Sequence, residues 1–389
     1  MAEPQRPETQ RQGSFRPLRV IDKVRESSII TSFHLKPVDP ATWRPFQAGQ
    51  FLVLRVPPQA SGQRPVPRSY SVSSAPGREG HYRITIKREA APTAGMPDGI
   101  GSCWLHDRIS IGDMIEASGP RGEFFLDDAS PRPVVLLSGG VGLTPLVSML
   151  HALKSAANRT VYFIHACDNG DVHALRDEVL YLAGARAGIN VHFCYRFPSE
   201  ADRTRRWHQS EGVITGDLLA RLLPVGDLDY YMCGPPPFMK AVYGLLRNGG
   251  VPKARIAYEF FGPATVLEED VERNIATVVP RAAPPEAPRA LAAKPAPSEP
   301  VTQPPAPSVE FRRSGRRALW TENSHSLLDL AEAQGLRPDF SCRSGVCGTC
   351  KTRVLAGNVR YFEEPLDPVE PGHALICCAQ PKGSVVLDL

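Results

Sequence analysis

Five cysteines crowd into the last 50 residues of the chain: Cys342, Cys347, Cys350, Cys377 and Cys378. The first three stand as C-x4-C-x2-C within CRSGVCGTC, a spacing by which thiolates hold a [2Fe–2S] cluster whose fourth ligand comes from further along the chain. Gly345 and Gly348 let that loop turn tightly and bring backbone N–H groups to the sulfurs. The fourth ligand must be Cys377 or Cys378; in an extended segment neighbouring side chains point to opposite faces, so only one can serve. A structural zinc site would use paired short spacings instead.

Three further stretches could bind charged, planar ligands. Arg68-Ser69-Tyr70-Ser71 opens a strand and supplies a phosphate partner, an aromatic face and a hydroxyl. Gly99-Ile-Gly-Ser102 precedes Cys103-Trp-Leu105 and places bare N–H groups at a helix start, where an anion can bind. Leu137-Ser-Gly-Gly-Val-Gly-Leu-Thr-Pro145 is a hydrophobic strand running into a glycine-rich turn, with Pro145 expected at the first helical position. It is not the GxGxxG fingerprint, but glycines there still let a pyrophosphate approach the backbone. Cys233-Gly-Pro-Pro-Pro-Phe-Met239 ends another strand with a similar turn. Two such turns at strand ends are what a ligand crevice in an open sheet requires.

These residues need elements to hold them. Before about residue 130, short strand-like runs (51–56, 70–73, 82–87) alternate with turns, the rhythm of an antiparallel barrel or sandwich. Beyond it, apolar runs at 134–137, 161–165, 191–194, 229–233 and 256–260 alternate with helical segments from Pro145, near 174–187 and at 237–248. That alternation predicts a doubly wound parallel α/β sheet. Ten of the 28 residues from Pro280 to Pro307 are proline, so this stretch cannot bury enough apolar surface to fold and is expected to be a spacer. The predicted organisation is a disordered tail at 1–14, an antiparallel β domain at 15–130, an α/β domain at 131–265, a linker at 266–307 and a cluster domain at 308–389.

Composition narrows the class. With 45 Lys+Arg against 41 Asp+Glu, the net charge of +4 over 389 residues is too small to argue for nucleic acid or an anionic membrane. The stretch 133–150 is uncharged but broken by Pro133, Pro145 and three glycines, so no transmembrane helix is expected; 1–17 has no apolar core for a secretory signal. Nine cysteines, an odd number bunched at one end, suit a reducing compartment, and a cytoplasmic monomer is expected. Cys103, Cys167 and Cys194 are expected to be small core residues. His165, His173, His192 and His208 lack ligand spacing, so no second metal site is expected, and Arg203–Arg206 is expected to be a solvated loop.

Residues 308–389 resemble plant-type ferredoxins, through the cysteine loop and the closing segment Ala374–Pro381. That resemblance implies a β-grasp α+β domain, with Cys342, Cys347, Cys350 and Cys377 as ligands and Cys378 as a buried neighbour. Residues 15–264 resemble the ferredoxin–NADP reductase superfamily, closest to the reductase portion of flavohaemoglobins, through PRSYSVSSAP, IKRE, LSGGVGLTPLVSML, HALRDEV and YEFFGP. The resemblance implies an antiparallel flavin barrel in which Arg68 and the Gly101–Ser102 turn hold flavin phosphates, Tyr70 stacks on the ring, Ser71 reaches N5, and Lys87 of IKRE adds a cation. It further implies that Gly140, Gly142 and Thr144 cradle the dinucleotide and that Cys233, Gly234 and Pro235 hold the nicotinamide. By the same resemblance, Glu259 and Phe261 would close over the ring. Ser71, Cys233 and Glu259 are the expected catalytic residues.

The order flavin, nicotinamide, ferredoxin resembles the single-chain oxygenase reductases of the phthalate dioxygenase reductase type. Only about 14 polar residues precede the flavin domain, where a flavohaemoglobin has a globin, so nitric oxide dioxygenation is not expected. The nicotinamide gives two electrons together, the cluster takes one, and a flavin can mediate. The expected function is therefore electron transfer from NADH through FAD and [2Fe–2S] to a terminal oxygenase. FMN, NADPH, a P450 or other haem protein as acceptor, and a stand-alone flavin reductase are the alternatives. Arg196, after strand 191–195, is the residue that speaks for NADPH.

Overall fold

The computed structural model describes residues 15–58, 65–77, 80–91, 98–155, 159–261, 307–321, 324–340, 345–346 and 348–389. The expected tail and, apart from Pro307, the expected linker lie outside the described residues, as do Cys342 and Cys347. The chain divides into two compact units, Met1–Thr265 with Phe340–Thr349 and Glu363–Pro368 in one, and Val266–Asp339 with Cys350–Phe362 and Val369–Leu389 in the other.

The first unit begins with six strands: β1 (Arg16–Arg25), β2 (Ile30–Pro37), β3 (Phe51–Val56), β4 (Val66–Ser71), β5 (Tyr82–Lys87) and, after helix α1 (Ile100–Arg108), β6 (Met114–Arg121). They form an antiparallel sheet in the order β4-β3-β6-β1-β2-β5, and a bridge from Val72 to Ile84 joins its two edges into a barrel. Strand periodicity accounts for the filling. Leu18 and Val20 on β1, Phe33 and Leu35 on β2, Leu52 and Leu54 on β3, and Tyr82, Ile84 and Ile86 on β5 are two apart and buried in one core. The stretch expected as a strand at 70–73 is in fact the end of β4, which starts four residues earlier because Val66 pairs with Val56.

Six parallel strands follow: β7 (Val134–Gly139), β8 (Val161–Cys167), β9 (Ile189–Tyr195), β10 (Ser210–Glu211), β11 (Asp229–Gly234) and β12 (Ile256–Phe260). Between them lie helices α2 (Leu143–Lys154), α3 (Arg176–Gly184), α4 (Glu200–Arg205), α5 (Gly216–Leu222) and α6 (Pro236–Asn248). The spatial order β10-β9-β8-β7-β11-β12 reverses direction between β7 and β11, which opens a crevice at the carboxyl ends of those two strands. Both β7 and β11 are buried along their whole length, as strands covered on two faces must be. Helix α2 starts at Leu143, two residues before Pro145, because a single turn at Gly140–Gly142 runs straight into it. The segment expected as the loop 203–206 is instead the last turn of α4 and its cap, fixed by a Ser199/Asp202 capping box and by a two-pronged Arg203–Glu211 pair.

In the second unit, β13 (Ser308–Phe311), β14 (Arg316–Leu319), β15 (Lys351–Tyr361), β16 (His373–Leu375) and β17 (Ala379–Leu387) form a mixed sheet in the order β14-β13-β17-β15-β16. Its first and last strands, β13 and β17, are parallel, and a helix, α7 (Leu327–Ala333), lies in sequence between β14 and β15. A Ser326/Asp329 capping box starts α7 and turns Leu327, Leu328 and Ala331 inward. This is the expected β-grasp arrangement.

Candidate functional site

The flavin residues converge on one end of the barrel. Arg68 and Tyr70 alternate on β4, and α1 begins beside them with Gly99 as its cap. A Cβ placed on Gly101 would sit 2.5 Å from the Tyr70 hydroxyl and 3.0 Å from Arg68 Cγ. Only glycine lets the helix start approach the Arg68 and Tyr70 side chains this closely, and a helix start carries N–H groups without intrahelical partners. Among the described residues no carboxylate pairs with Arg68; its guanidinium donates to the Pro67 carbonyl at 2.9 Å. A helix start beside an arginine with no acidic partner fits a phosphate. Ser102 Oγ accepts from the Glu89 N–H at 3.2 Å, and Lys87 Nζ is paired with the Glu89 carboxylate at 3.0 Å, which ties Lys87 to the same helix start. Burial pushes the Tyr70 phenol upward, so it stays neutral, as a stacking ring should.

The nicotinamide residues meet across the crevice. A Cβ on Gly142 would fall 2.3 Å from the Cys233 carbonyl oxygen, and one on Gly139 or Gly234 would strike the Phe238 ring at 2.6 or 2.7 Å. These contacts bring the two strand-end turns together, with Gly140 in the left-handed region at φ +53°. Thr144 Oγ1 donates to the Val141 carbonyl at 3.2 Å and stiffens the turn. Pro235 caps α6, and Phe261 packs against the core of the parallel sheet.

Ser71 and Glu259 join these two regions, although 188 residues separate them. Ser71 Oγ donates to Glu259 Oε2 at 3.2 Å. Glu259 is the β12 neighbour of Cys233 on β11. Burial raises the Glu259 carboxyl to about 8 against the opposing Ser71 bond, and burial together with Glu259 raises the Cys233 thiol well above its usual range. At neutral pH, then, a protonated carboxyl, a hydroxyl and a neutral thiol stand together, a set that can hold or pass a proton without placing a full charge beside a ring.

In the second unit, Cys350 and Cys377 face each other with their sulfurs 3.0 Å apart, and both are buried. Cys378 points elsewhere, its thiol donating to the Leu375 carbonyl at 3.4 Å. Two thiols converging while the adjacent one turns away is a donor arrangement that suits an iron–sulfur cluster.

Several functional relationships had no signal in sequence. Arg196 forms an ion pair with Asp168 at 2.7 Å. Arg83 on β5 makes a two-pronged contact with Glu178 on α3, at 2.6 and 2.8 Å, and His151 Nε2 meets the same carboxylate at 2.6 Å. This triad links the barrel to the parallel domain. Its members lie far apart in the chain, so no local pattern announces them.

Comparisons with known proteins agree with this architecture. Residues 17–126 match the oxidoreductase FAD-binding domain, 136–243 the oxidoreductase NAD-binding domain, and 311–382 the 2Fe-2S iron-sulfur cluster binding domain. The flavohemoprotein of Halalkalibacterium halodurans is 40% identical over 254 residues, which are 65% of this chain and 61% of that protein. That of Bordetella pertussis is 41% identical over 65% of this chain and 62% of its own length. The chain thus spans about three-fifths of these curated relatives, and the likeness is confined to their reductase part. Among solved structures, the flavohem-like FAD/NAD-binding domain of nitric oxide dioxygenase from Vibrio cholerae is 36% identical, with a TM-score of 0.57 over 64% of this chain and 99% of that one. Phthalate dioxygenase reductase is 25% identical with a TM-score of 0.52, over 97% of this chain and 98% of its own.

The chain is therefore an oxidoreductase with a ferredoxin-reductase-like fold. It carries FAD-binding, NAD-binding and 2Fe-2S domains in that order, and its cofactors are FAD, NADH and a [2Fe–2S] cluster. No helix among the described residues is long and apolar enough to cross a membrane.

Proposed function

We propose that this chain is the reductase component of a terminal oxygenase, accepting electrons from NADH and delivering them singly to a separate protein. The observation that carries the reading is the match to phthalate dioxygenase reductase along nearly the full length of both chains, with all three domains in one order. Bound FAD would supply chemistry that couples two-electron nicotinamide oxidation to one-electron delivery.

The protein's own residues do the positioning. Arg68 and the start of α1 hold the flavin phosphates, and the Gly139–Gly142 turn with Gly234 places the dinucleotide across the crevice. Cys233 and Ser71, brought together through Glu259, would line the site between the flavin and the nicotinamide. Glu259, protonated through neutral pH, keeps the Ser71 hydroxyl oriented and limits local charge. Cys342, Cys347, Cys350 and Cys377 hold the cluster from which electrons leave.

Cys350→Ser separates this reading from a stand-alone flavin reductase. Reduction of a Rieske oxygenase by NADH should be lost in the variant while ferricyanide, which accepts at the flavin, is still reduced. Unchanged transfer to every protein acceptor would mean that the cluster is not the exit, and a flavin reductase for small acceptors would replace the proposal. Efficient transfer to a P450 and none to Rieske proteins would reassign the partner.

A further inference from the structure

We propose that His165, Cys167 and His173 form a second metal site, separate from the cluster domain, that takes a zinc ion. Strand β8 carries His165 and Cys167 two residues apart and so on one face. The turn at Gly170–Val172 brings His173 back to them. One ligand atom from each of the three lies within 4.8 Å of the others. Across a tetrahedral zinc with two nitrogens and one sulfur the same separations are roughly 3.4–3.6 Å, so closure needs a movement of about 1 Å.

Two features go beyond proximity. Each imidazole already has its Nδ1 engaged by a hydroxyl, His165 with Ser138 Oγ at 2.8 Å and His173 with Tyr195 OH at 2.7 Å. Metal-bound histidines are held in this way, the outer nitrogen fixed by an oxygen and the other left for the ion. Second, Nε2 of His173 is buried without a hydrogen-bond partner among the described residues, and the residue is 5% exposed. An unmet nitrogen in the core is costly, and a metal ion would satisfy it.

The donor set selects the metal. Two imidazoles and one thiolate suit zinc better than calcium or magnesium, which take oxygen ligands. Burial holds His165 down at about 3 and His173 also low, so both rings are neutral and ready to ligate at physiological pH. Cys167 is the opposite case: burial and the adjacent Asp168 push its thiol up. Binding must therefore displace a proton from Cys167 Sγ to solvent as the S–Zn bond forms, with water in the fourth position.

The test uses the full chain with flavin and cluster in place, equilibrated with a micromolar zinc buffer and freed of excess ion. Elemental analysis should find about one zinc alongside about two irons per chain. Zinc X-ray absorption should show one sulfur near ~2.3 Å and two nitrogens near ~2.0 Å. Cys167→Ala, a small apolar replacement at a partly buried position against the core, should lose the zinc with iron and flavin unchanged. His173→Gln provides a second variant that keeps a polar group in the core. Failure to retain zinc would overturn the site, as would a sulfur-rich zinc shell that persists in Cys167→Ala.

Discussion

Arg196 Nη2 lies 2.7 Å from Asp168 Oδ1, so the arginine that could have received a 2′-phosphate is already matched by a carboxylate. The two residues follow the adjacent strands β9 and β8 at the carboxyl edge of the parallel sheet, where the far end of a dinucleotide lies. An incoming phosphomonoester would have to displace Asp168 and then face its charge. A ribose with free hydroxyls faces no such cost and gains an acceptor.

This pairing predicts that Asp168→Asn raises kcat/KM for NADPH relative to NADH by about tenfold, the scale of one charged contact. Adding Arg196→Ala should cancel the gain. Steady-state rates with both nucleotides check it, and an unchanged ratio in Asp168→Asn would remove Asp168 from the account of specificity.

The cluster ligands give a sharper contrast. Cys377→Ser should lose the iron and the brown colour, because its sulfur faces that of Cys350. Cys378→Ser should keep about two irons per chain, since its thiol is turned to the Leu375 carbonyl. Iron analysis of the two variants decides it, and the reverse result would reassign the ligand.

Glu259 predicts a pH dependence whose sign is fixed. Its carboxyl is raised from 4.5 to about 8 by burial, so the stabilisation from its protonated form is full below about 4.5 and is lost as pH rises through about 8. Glu259→Gln should flatten the apparent Tm between pH 5 and 9, where wild type should fall by a few degrees. A wild-type profile as flat as that of the variant would count against a raised Glu259. Ser71→Ala should slow flavin reduction by NADH, measured by stopped flow, roughly 10²-fold, the scale of losing one positioned group.

Glu178 behaves in the opposite sense. Burial pushes its carboxyl up, but hydrogen bonds and charge from His151 and Arg83 outweigh it and hold it at about 2. That stabilisation is present above about 4.5 and is lost as pH falls toward 2. Glu178→Gln should leave Arg83 buried without its partner and cost about 3 kcal/mol in denaturant unfolding of the flavin–nicotinamide unit, with the gap to wild type narrowing in acid.

Gly142→Ala tests the crevice. A methyl 2.3 Å from the Cys233 carbonyl must push β11 and the turn apart. KM for NADH should rise at least tenfold while flavin content is retained. A variant with normal KM would mean that the two turns can separate freely.

Local chemistry made much of this protein legible in its sequence. Cysteine spacing, glycine-rich strand ends and proline density act over a few residues, so the domain divisions, the ligand loop that ends at Cys350 and the turns at Gly140 and Gly234 could be read directly, whereas spacing left Cys377 and Cys378 open and the facing sulfurs of Cys350 and Cys377 distinguish them. The strands at 51–56, 82–87 and 256–260 were legible too, because alternating and β-branched runs leave a period of their own. Other features exist only after long-range folding. Val66 extends β4 through its pairing with Val56, and Pro145 falls inside α2 because the Gly140–Gly142 turn begins the helix early. The Ser71–Glu259 bond, the Arg83–Glu178–His151 triad, the Asp168 partner of Arg196 and the meeting of His165, Cys167 and His173 come from strands and loops whose separation carries no pattern. Whether each charge or donor is met or left open depends on what tertiary packing sets beside it, and sequence spacing does not encode that.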